Sequence, residues 1–151
     1  MNIVVGSDHG GFALKEKLKK YAQSLNHTVT DFGCYSESAV DYPDIALLVS
    51  EAIKRKEFDK GLLVDGTGGG MTLAANKVPG IRAVCAYNEL TGKYASEHDD
   101  ANVLCLGGKM IGELAAQEIV KGWLETPFGG ERHQRRLNKI IEIERKYSAS
   151  L

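Results

Sequence analysis

The densest chemistry in the chain is the run Asp65-Gly66-Thr67-Gly68-Gly69-Gly70, an acid followed by four glycines in five residues. Ahead of it, Gly61–Val64 is a continuous apolar stretch, as expected of a strand buried on both faces. After it, Met71–Lys77 predicts a short helix that stops before Pro79-Gly80. Glycines here let the backbone approach a ligand closely and aim several N–H groups at one point. With a helix dipole behind them, those donors form an anion site for a phosphate or a transient oxyanion. The alternative is a tight strand-to-helix turn that needs glycine only for its dihedrals. Four glycines exceed what one turn needs.

Further polar candidates fall in three places. Asp8-His9 closes a first strand, His98-Asp99-Asp100 precedes a late one, and Arg132-His133-x-x-Arg136 opens the last helix. Each has a plain structural reading beside the chemical one: Asp8 as a helix cap, His98 as a solvated helix end, the arginines as a charged surface. Cations at a helix N-terminus are unfavourable to the helix itself, and a bound phosphate would reverse that penalty. Spacing allows Arg132, His133 and Arg136 to face one oxyanion. His27 reads as a strand-start residue.

The elements that must position these residues follow from periodicity. Strands are predicted at Asn2–Val5, His27–Phe32, Gly61–Val64, Arg82–Ala86 and Asn102–Leu106. Phe12, Leu14, Leu18, Tyr21 and Leu25 recur near helical spacing with lysines on the opposite face. Further helices are predicted over Tyr42–Arg55, Glu89–His98, Ile111 to about Leu124, and Arg132 to Tyr147. Alternating strands and helices imply an open parallel sheet in one α/β domain over residues 1–151. Such sheets bind ligands at the carboxyl ends of their strands, which puts the loops after strands one, three and four in view.

Composition removes several function classes. A net charge of −1 gives no global field for nucleic acid or membrane, so anion binding must be local. No apolar run approaches the roughly 18 residues of a membrane span. Cys34, Cys85 and Cys105 are odd in number without C-x-x-C spacing, and Met1 opens directly into a strand-like run. Together these predict a reduced, cytoplasmic protein without disulfides. A P-loop is excluded because no Lys-Ser or Lys-Thr follows the glycines. Asp31 fits the acidic residue of a dinucleotide site. The first turn, however, lacks G-x-G-x-x-G, and Asp8 would set a negative charge where the pyrophosphate lies.

Gly-Ser-Asp-His-Gly-Gly (6–11), Asp41-Tyr42-Pro43, Gly66-Thr67-Gly68, Ala74-Ala75-Asn76-Lys77, Gly80-Ile81-Arg82-Ala83, Glu97-His98, Ala101-Asn102-Val103-Leu104 and Arg132-His133 occur in order along the chain. This set resembles the ribose-5-phosphate isomerase B and galactose-6-phosphate isomerase family over almost the whole length. The resemblance implies a doubly wound, Rossmann-like domain with five parallel strands and helices on both faces. It also implies a homodimer or tetramer, with the C-terminal helix at the interface and active sites there. The implied activity interconverts aldose and ketose phosphates through an enediolate, without metal or cofactor. By position, Gly66, Gly68, Gly69 and Gly70 supply backbone donors, while Asp8, Tyr42 and Asp99 line the sugar. The resemblance makes His98 the match of the histidine that opens the sugar ring, and implies Asp65, Thr67 and His98 as the catalytic set. His9, Arg132, His133 and Arg136 match phosphate-binding positions, some reaching across the interface.

Five positions depart from the resemblance. Asp65 stands where many members carry the proton-shuttling cysteine, and Met71 where another branch has a glutamate. A carboxylate is a competent base, although its ordinary pKa of about 3.9 lies far from the roughly 8.5 of cysteine. Asp99 replaces a usual asparagine, Lys109 a frequent arginine, and Glu131 a usual glycine. Three readings follow. The first is an isomerase of a pentose, hexose or tetrose phosphate with Asp65 as base. The second is an impaired or half-site subunit that needs a cysteine-bearing homologue in a hetero-oligomer. The third is a nucleotide-binding or sensory α/β protein.

Overall fold

The computed structural model describes residues 1–148; the last three of the 151 residues assigned to the domain lie outside them. In chain order the elements are β1 (Asn2–Ser7), α1 (Phe12–Ser24), β2 (Thr28–Asp31), α2 (Tyr42–Lys54), β3 (Lys60–Asp65), α3 (Gly69–Ala75), β4 (Ala83–Cys85), α4 (Glu89–Glu97), β5 (Val103–Gly107), α5 (Glu113–Glu125) and α6 (Arg132–Ser148). The sheet is parallel throughout and ordered β2-β1-β3-β5-β4.

Both faces of the sheet are covered, which explains why its central strands read as unbroken apolar runs. Side chains alternate along each strand. Ile3, Val5, Leu62, Val64, Leu104 and Leu106 share one core with α1, α4 and α5. Val4, Leu63, Val103 and Cys105 share the other with α2 and α3, through Ile45, Val49, Met71 and Ala75. No helix among the described residues is long and apolar enough to cross a membrane.

The structure corrects the sequence reading in three places. β5 lies between β3 and β4, so β4 is a three-residue edge strand and its loop is not the one beside β3. α3 begins at Gly69, inside the glycine run rather than after it. Not all lysines of α1 face solvent: Lys15 is fully buried.

Lys15 is buried because it has partners. Its ammonium donates to both carboxylate oxygens of Asp31 at 2.8 and 2.9 Å and to the Cys34 carbonyl at 2.5 Å. Lys19 adds a second cation to Asp31 at 2.9 Å. Burial alone would raise Asp31, but Lys15, the Gly33 N–H and Lys19 outweigh it and hold the carboxyl below its ordinary value. Cys34 N–H in turn bonds Ser7 carbonyl, and Ser7 N–H bonds Gly33 carbonyl. One buried charge therefore ties the chain after β2 to the end of β1. It also occupies Asp31, the residue a ribose hydroxyl would need in the nucleotide reading.

Candidate active site

Strand register brings three polar segments to one edge of the sheet. Ser7 lies opposite Val64, and Asp65 opposite Gly107. Asp8 N–H bonds Val64 carbonyl at 3.2 Å; Gly108 and Lys109 N–H bond the Asp65 and Gly66 carbonyls at 2.6 and 3.0 Å. The loop after β5 thus joins the loops after β1 and β3, where the sequence reading had put the loop after β4 in view.

At the centre sits Asp65, only 4% exposed. Its Oδ1 accepts the Gly68 N–H at 2.6 Å and its Oδ2 the Met71 N–H at 3.2 Å. The glycine run is therefore wrapped around its own acid. Gly69 N–H donates to Thr67 Oγ1 at 3.3 Å. Among the described residues this leaves Gly66, Thr67 and Gly70 with backbone donors free for a ligand, a smaller set than the whole run from Gly66 to Gly70. Burial pushes the Asp65 carboxyl above its ordinary value, the Gly68 and Met71 donors oppose that shift, and the neighbouring charge of Asp8 adds to it.

Two glycines make this packing possible. Gly68 has φ +87°, and a Cβ there would lie 2.6 Å from Cys85 Sγ. Gly68→Ala is expected to cost about 1–2 kcal/mol for the left-handed backbone alone, plus the clash with the thiol. Denaturant midpoints test this: adding Cys85→Ala should restore the steric part only, and full restoration would show that the backbone carries no strain. Gly70 is pressed between site residues, since a Cβ there would lie 2.7 Å from Tyr42 Cζ and 3.1 Å from Asp65 Oδ2. Tyr42 and Asp65 thereby crowd one backbone position.

Asp8 is buried, and its Oδ1 accepts the Gly11 N–H at 3.0 Å, so it shapes the first turn as well as facing Asp65. His9 is exposed, with Nδ1 accepting the Val40 N–H at 3.3 Å. Lys109 lays its stem over Gly66, its Cδ being 3.5 Å from a Cβ built there. Lys109 belongs with this group, although only its departure from an arginine had drawn notice.

A second cluster forms where α4 ends and α6 begins. His98 stacks on Tyr94 at 4.1 Å between centroids and on His133 at 4.3 Å, with interplanar angles of 14° and 13°. His133 is turned inward and buried, whereas Arg132 and Arg136 are exposed. Desolvation, His98 and the two arginine charges lower the basicity of His133, against Glu97. Partial desolvation raises Asp99, while His98 and His133 pull it back. The arrangement suits an anion: a phosphate would meet two guanidinium groups and favour the protonated form of His133. Among the described residues no hydrogen bond, ion pair or ring contact joins this cluster to Asp65, Asp8 or Tyr42. Nor are any three His, Cys, Asp or Glu side chains grouped as a metal ion needs.

Several motif residues turn out to be scaffolding. The Asn76 amide exchanges two 2.8 Å bonds with the Ala83 backbone. Asn102 accepts the Arg82 N–H at 2.8 Å and donates to the Gly80 carbonyl at 3.0 Å. Both hold the short strand β4, and with it Cys85, behind Gly68.

Known proteins share this chain's sequence and fold. Residues 3–140 match the family described as Ribose/Galactose Isomerase. The chain is 38% identical over 144 residues to ribose-5-phosphate isomerase B of Escherichia coli, covering 95% of this chain and 97% of that protein. A solved ribose-5-phosphate isomerase B of Clostridium thermocellum superposes with a TM-score of 0.96 at 46% identity, covering 97% of this chain and 99% of that one. The Mycoplasma genitalium enzyme, solved with bound ribulose-5-phosphate, gives 0.89 at 40% identity over 95% and 96% of the two chains. The chain belongs to the ribose/galactose isomerase family.

Proposed function

We propose that this chain interconverts an aldose and a ketose phosphate of the ribose-5-phosphate/ribulose-5-phosphate type, with Asp65 as the base. The observation that carries the assignment of the base is the setting of Asp65: a buried carboxylate, raised by burial and by Asp8, fixed on both oxygens, with Oδ2 facing Gly70. Each carboxylate oxygen accepts one backbone bond and keeps a lone pair for a substrate proton. Asp65 takes the proton from C2 of the open-chain aldose while the C1 carbonyl oxygen gains negative charge. The free N–H groups of Gly66, Thr67 and Gly70 stabilise that oxyanion. Asp65 returns a proton to C1 while the C2 hydroxyl proton passes to the C1 oxygen, leaving a C1 hydroxymethyl group and a C2 carbonyl, the ketose. The step is redox-neutral within one substrate and draws on no cofactor.

His98 opens the ring, and Arg132, His133 and Arg136 hold the phosphate. Because this cluster and the Asp65 cluster are separate within one chain, the complete site combines the two across a homodimer. An apolar groove beside α6, lined by Ile81, Val84, Leu137, Ile140 and Ile143, supports a second copy as its occupant. Three free cysteines fit a reducing, cytoplasmic setting.

The test is turnover of ribose 5-phosphate in D₂O. Deuterium entering the ketose at C1 is the expected result; interconversion without exchange or no conversion at all would overturn the reading. Arg132→Ala is expected to raise KM about tenfold with kcat within about twofold, the pattern of lost uniform binding. An unchanged KM would remove Arg132 from the phosphate site.

A second reading, a subunit that binds sugar phosphate without turning it over, is favoured by the engagement of the Gly68 and Met71 donors with Asp65. Activity appearing only in Asp65→Cys would select it.

A further inference from the structure

We propose that Tyr94 is a positioning residue for His98, acting through a three-ring stack that ends on the phosphate-side His133. The inference rests on the reading of His98 as the group that opens the sugar ring.

An imidazole that moves protons is ordinarily oriented by a hydrogen bond to its second nitrogen. Here, among the described residues, neither ring nitrogen of His98 has such a partner. What holds the ring is contact on its faces. Tyr94 and His133 both lie nearly parallel to it, at 4.1 and 4.3 Å between centroids. Two rings at those separations cannot share one face of an imidazole without colliding, so they occupy opposite faces. The sandwich blocks tilting and leaves the partly exposed ring to present its edge, which carries both nitrogens.

Backbone geometry builds this stack. Tyr94 and His98 are four residues apart on α4, the spacing that brings side chains together on one helix face. His98 N–H bonds the Tyr94 carbonyl at 2.9 Å, which keeps that last turn intact. From the other side, Gly129 N–H bonds the Glu97 carbonyl at 2.9 Å and brings the start of α6 against α4. A Cβ at Gly129 would lie 3.2 Å from His133 Cδ2, so the same loop also presses on the third ring. Tyr94 is 38% exposed, more than a core role would leave it. Its hydroxyl makes no bond among the described residues, so the ring face is what it contributes.

The consequence is specific to ring opening. Ribose 5-phosphate enters mostly as a closed furanose, whereas ribulose 5-phosphate is open-chain. A loosened His98 should therefore slow interconversion in both directions, which the fixed equilibrium constant ties together, and spare only the exchange of the ribulose 5-phosphate C1 hydrogen with solvent, which needs no closed ring. Tyr94→Leu is expected to lower kcat on ribose 5-phosphate about tenfold, part of the roughly 10²–10⁴-fold that a positioned acid–base supplies. Its exchange of the ribulose 5-phosphate C1 hydrogen with D₂O should stay within about twofold, and so should KM, since the base and the phosphate grip are untouched. Tyr94→Phe, which keeps the ring and drops the hydroxyl, should restore wild-type rates.

An NMR readout stands apart from turnover. The His98 ring protons, assigned by their disappearance in His98→Gln, should move downfield in Tyr94→Leu as a stacked ring current is lost, and stay in place in Tyr94→Phe. Unmoved signals would overturn the stack, whether or not the protein is active. Moved signals with unchanged aldose rates would overturn the catalytic claim. His98→Gln then locates the failure: if it too keeps wild-type rates, the assignment of ring opening to His98 falls with it.

Discussion

Asp65→Asn is expected to lower kcat on ribose 5-phosphate at least about 10²-fold, the lower end of what a positioned proton-transfer group contributes. An amide cannot take the C2 proton. The substitution also does more than remove a base, because the two Asp65 oxygens serve two different backbone donors. Asparagine offers one carbonyl oxygen and turns an NH₂ toward whichever of Gly68 or Met71 is left, so a buried N–H faces another donor. That should cost about 1–3 kcal/mol of stability. Circular dichroism and binding of ribulose 5-phosphate separate the two effects: a folded variant that still binds and does not turn over has lost the base. A variant retaining more than half the wild-type rate would assign the base elsewhere.

The pH dependence follows from the same group. Asp65 is held above its ordinary carboxyl value, first by burial, and the base works only when ionised. The rate must therefore fall as pH drops through that raised value, placing the acid limb of kcat/KM above the 3.8 of a free aspartate. Folding linkage has the opposite sign: the stability this group contributes is present below 3.8 and is lost as pH rises through the raised value. An acid limb at or below 3.8 would mean that another group sets the profile.

The sheet and the site's central loop were legible in the sequence because both depend on local pattern. Apolar runs such as Gly61–Val64 and glycines after an acid mark a buried strand and a turn whatever surrounds them. Strand order was not legible, since nothing in β4 or β5 says which lies beside β3; only the long-range register of Asp65 with Gly107 decides it. The use of the loop's donors was likewise hidden. Counting glycines gives the number of N–H groups, but whether Asp65 turns back to accept two of them depends on its rotamer. Tyr94 could have been found from its i, i+4 spacing to His98. On an exposed helix face that spacing carries little weight until His133, far along the chain, closes the stack. Lys15 misled for the opposite reason: helical periodicity places a lysine outward by its type, and only the distant Asp31 makes burial tolerable.

That burial makes Lys15→Met the variant with the largest expected effect on stability. Breaking a buried ion pair by removing one partner costs about 3–5 kcal/mol. Lys19 remains beside Asp31, so the lower end, about 3 kcal/mol, is expected, with a fall in midpoint temperature of about 10 °C at this chain length. Asp31→Leu in the same chain should return only part of the loss. The Gly33 N–H and the Cys34 carbonyl, which the pair also satisfied, stay without their partners. Acid titration supplies the independent check. In the wild type Asp31 is depressed, so its contribution is present above the ordinary 3.8 and is lost as pH falls through the lower folded value. Lys15→Met should flatten that acid decline. The functional consequence follows from connectivity: Gly33 and Cys34 bond Ser7, the residue before Asp8, and their loop runs on to Tyr42. KM for the sugar should therefore rise in Lys15→Met even where the protein remains folded. A destabilised variant with unchanged KM would confine the buried pair to the fold.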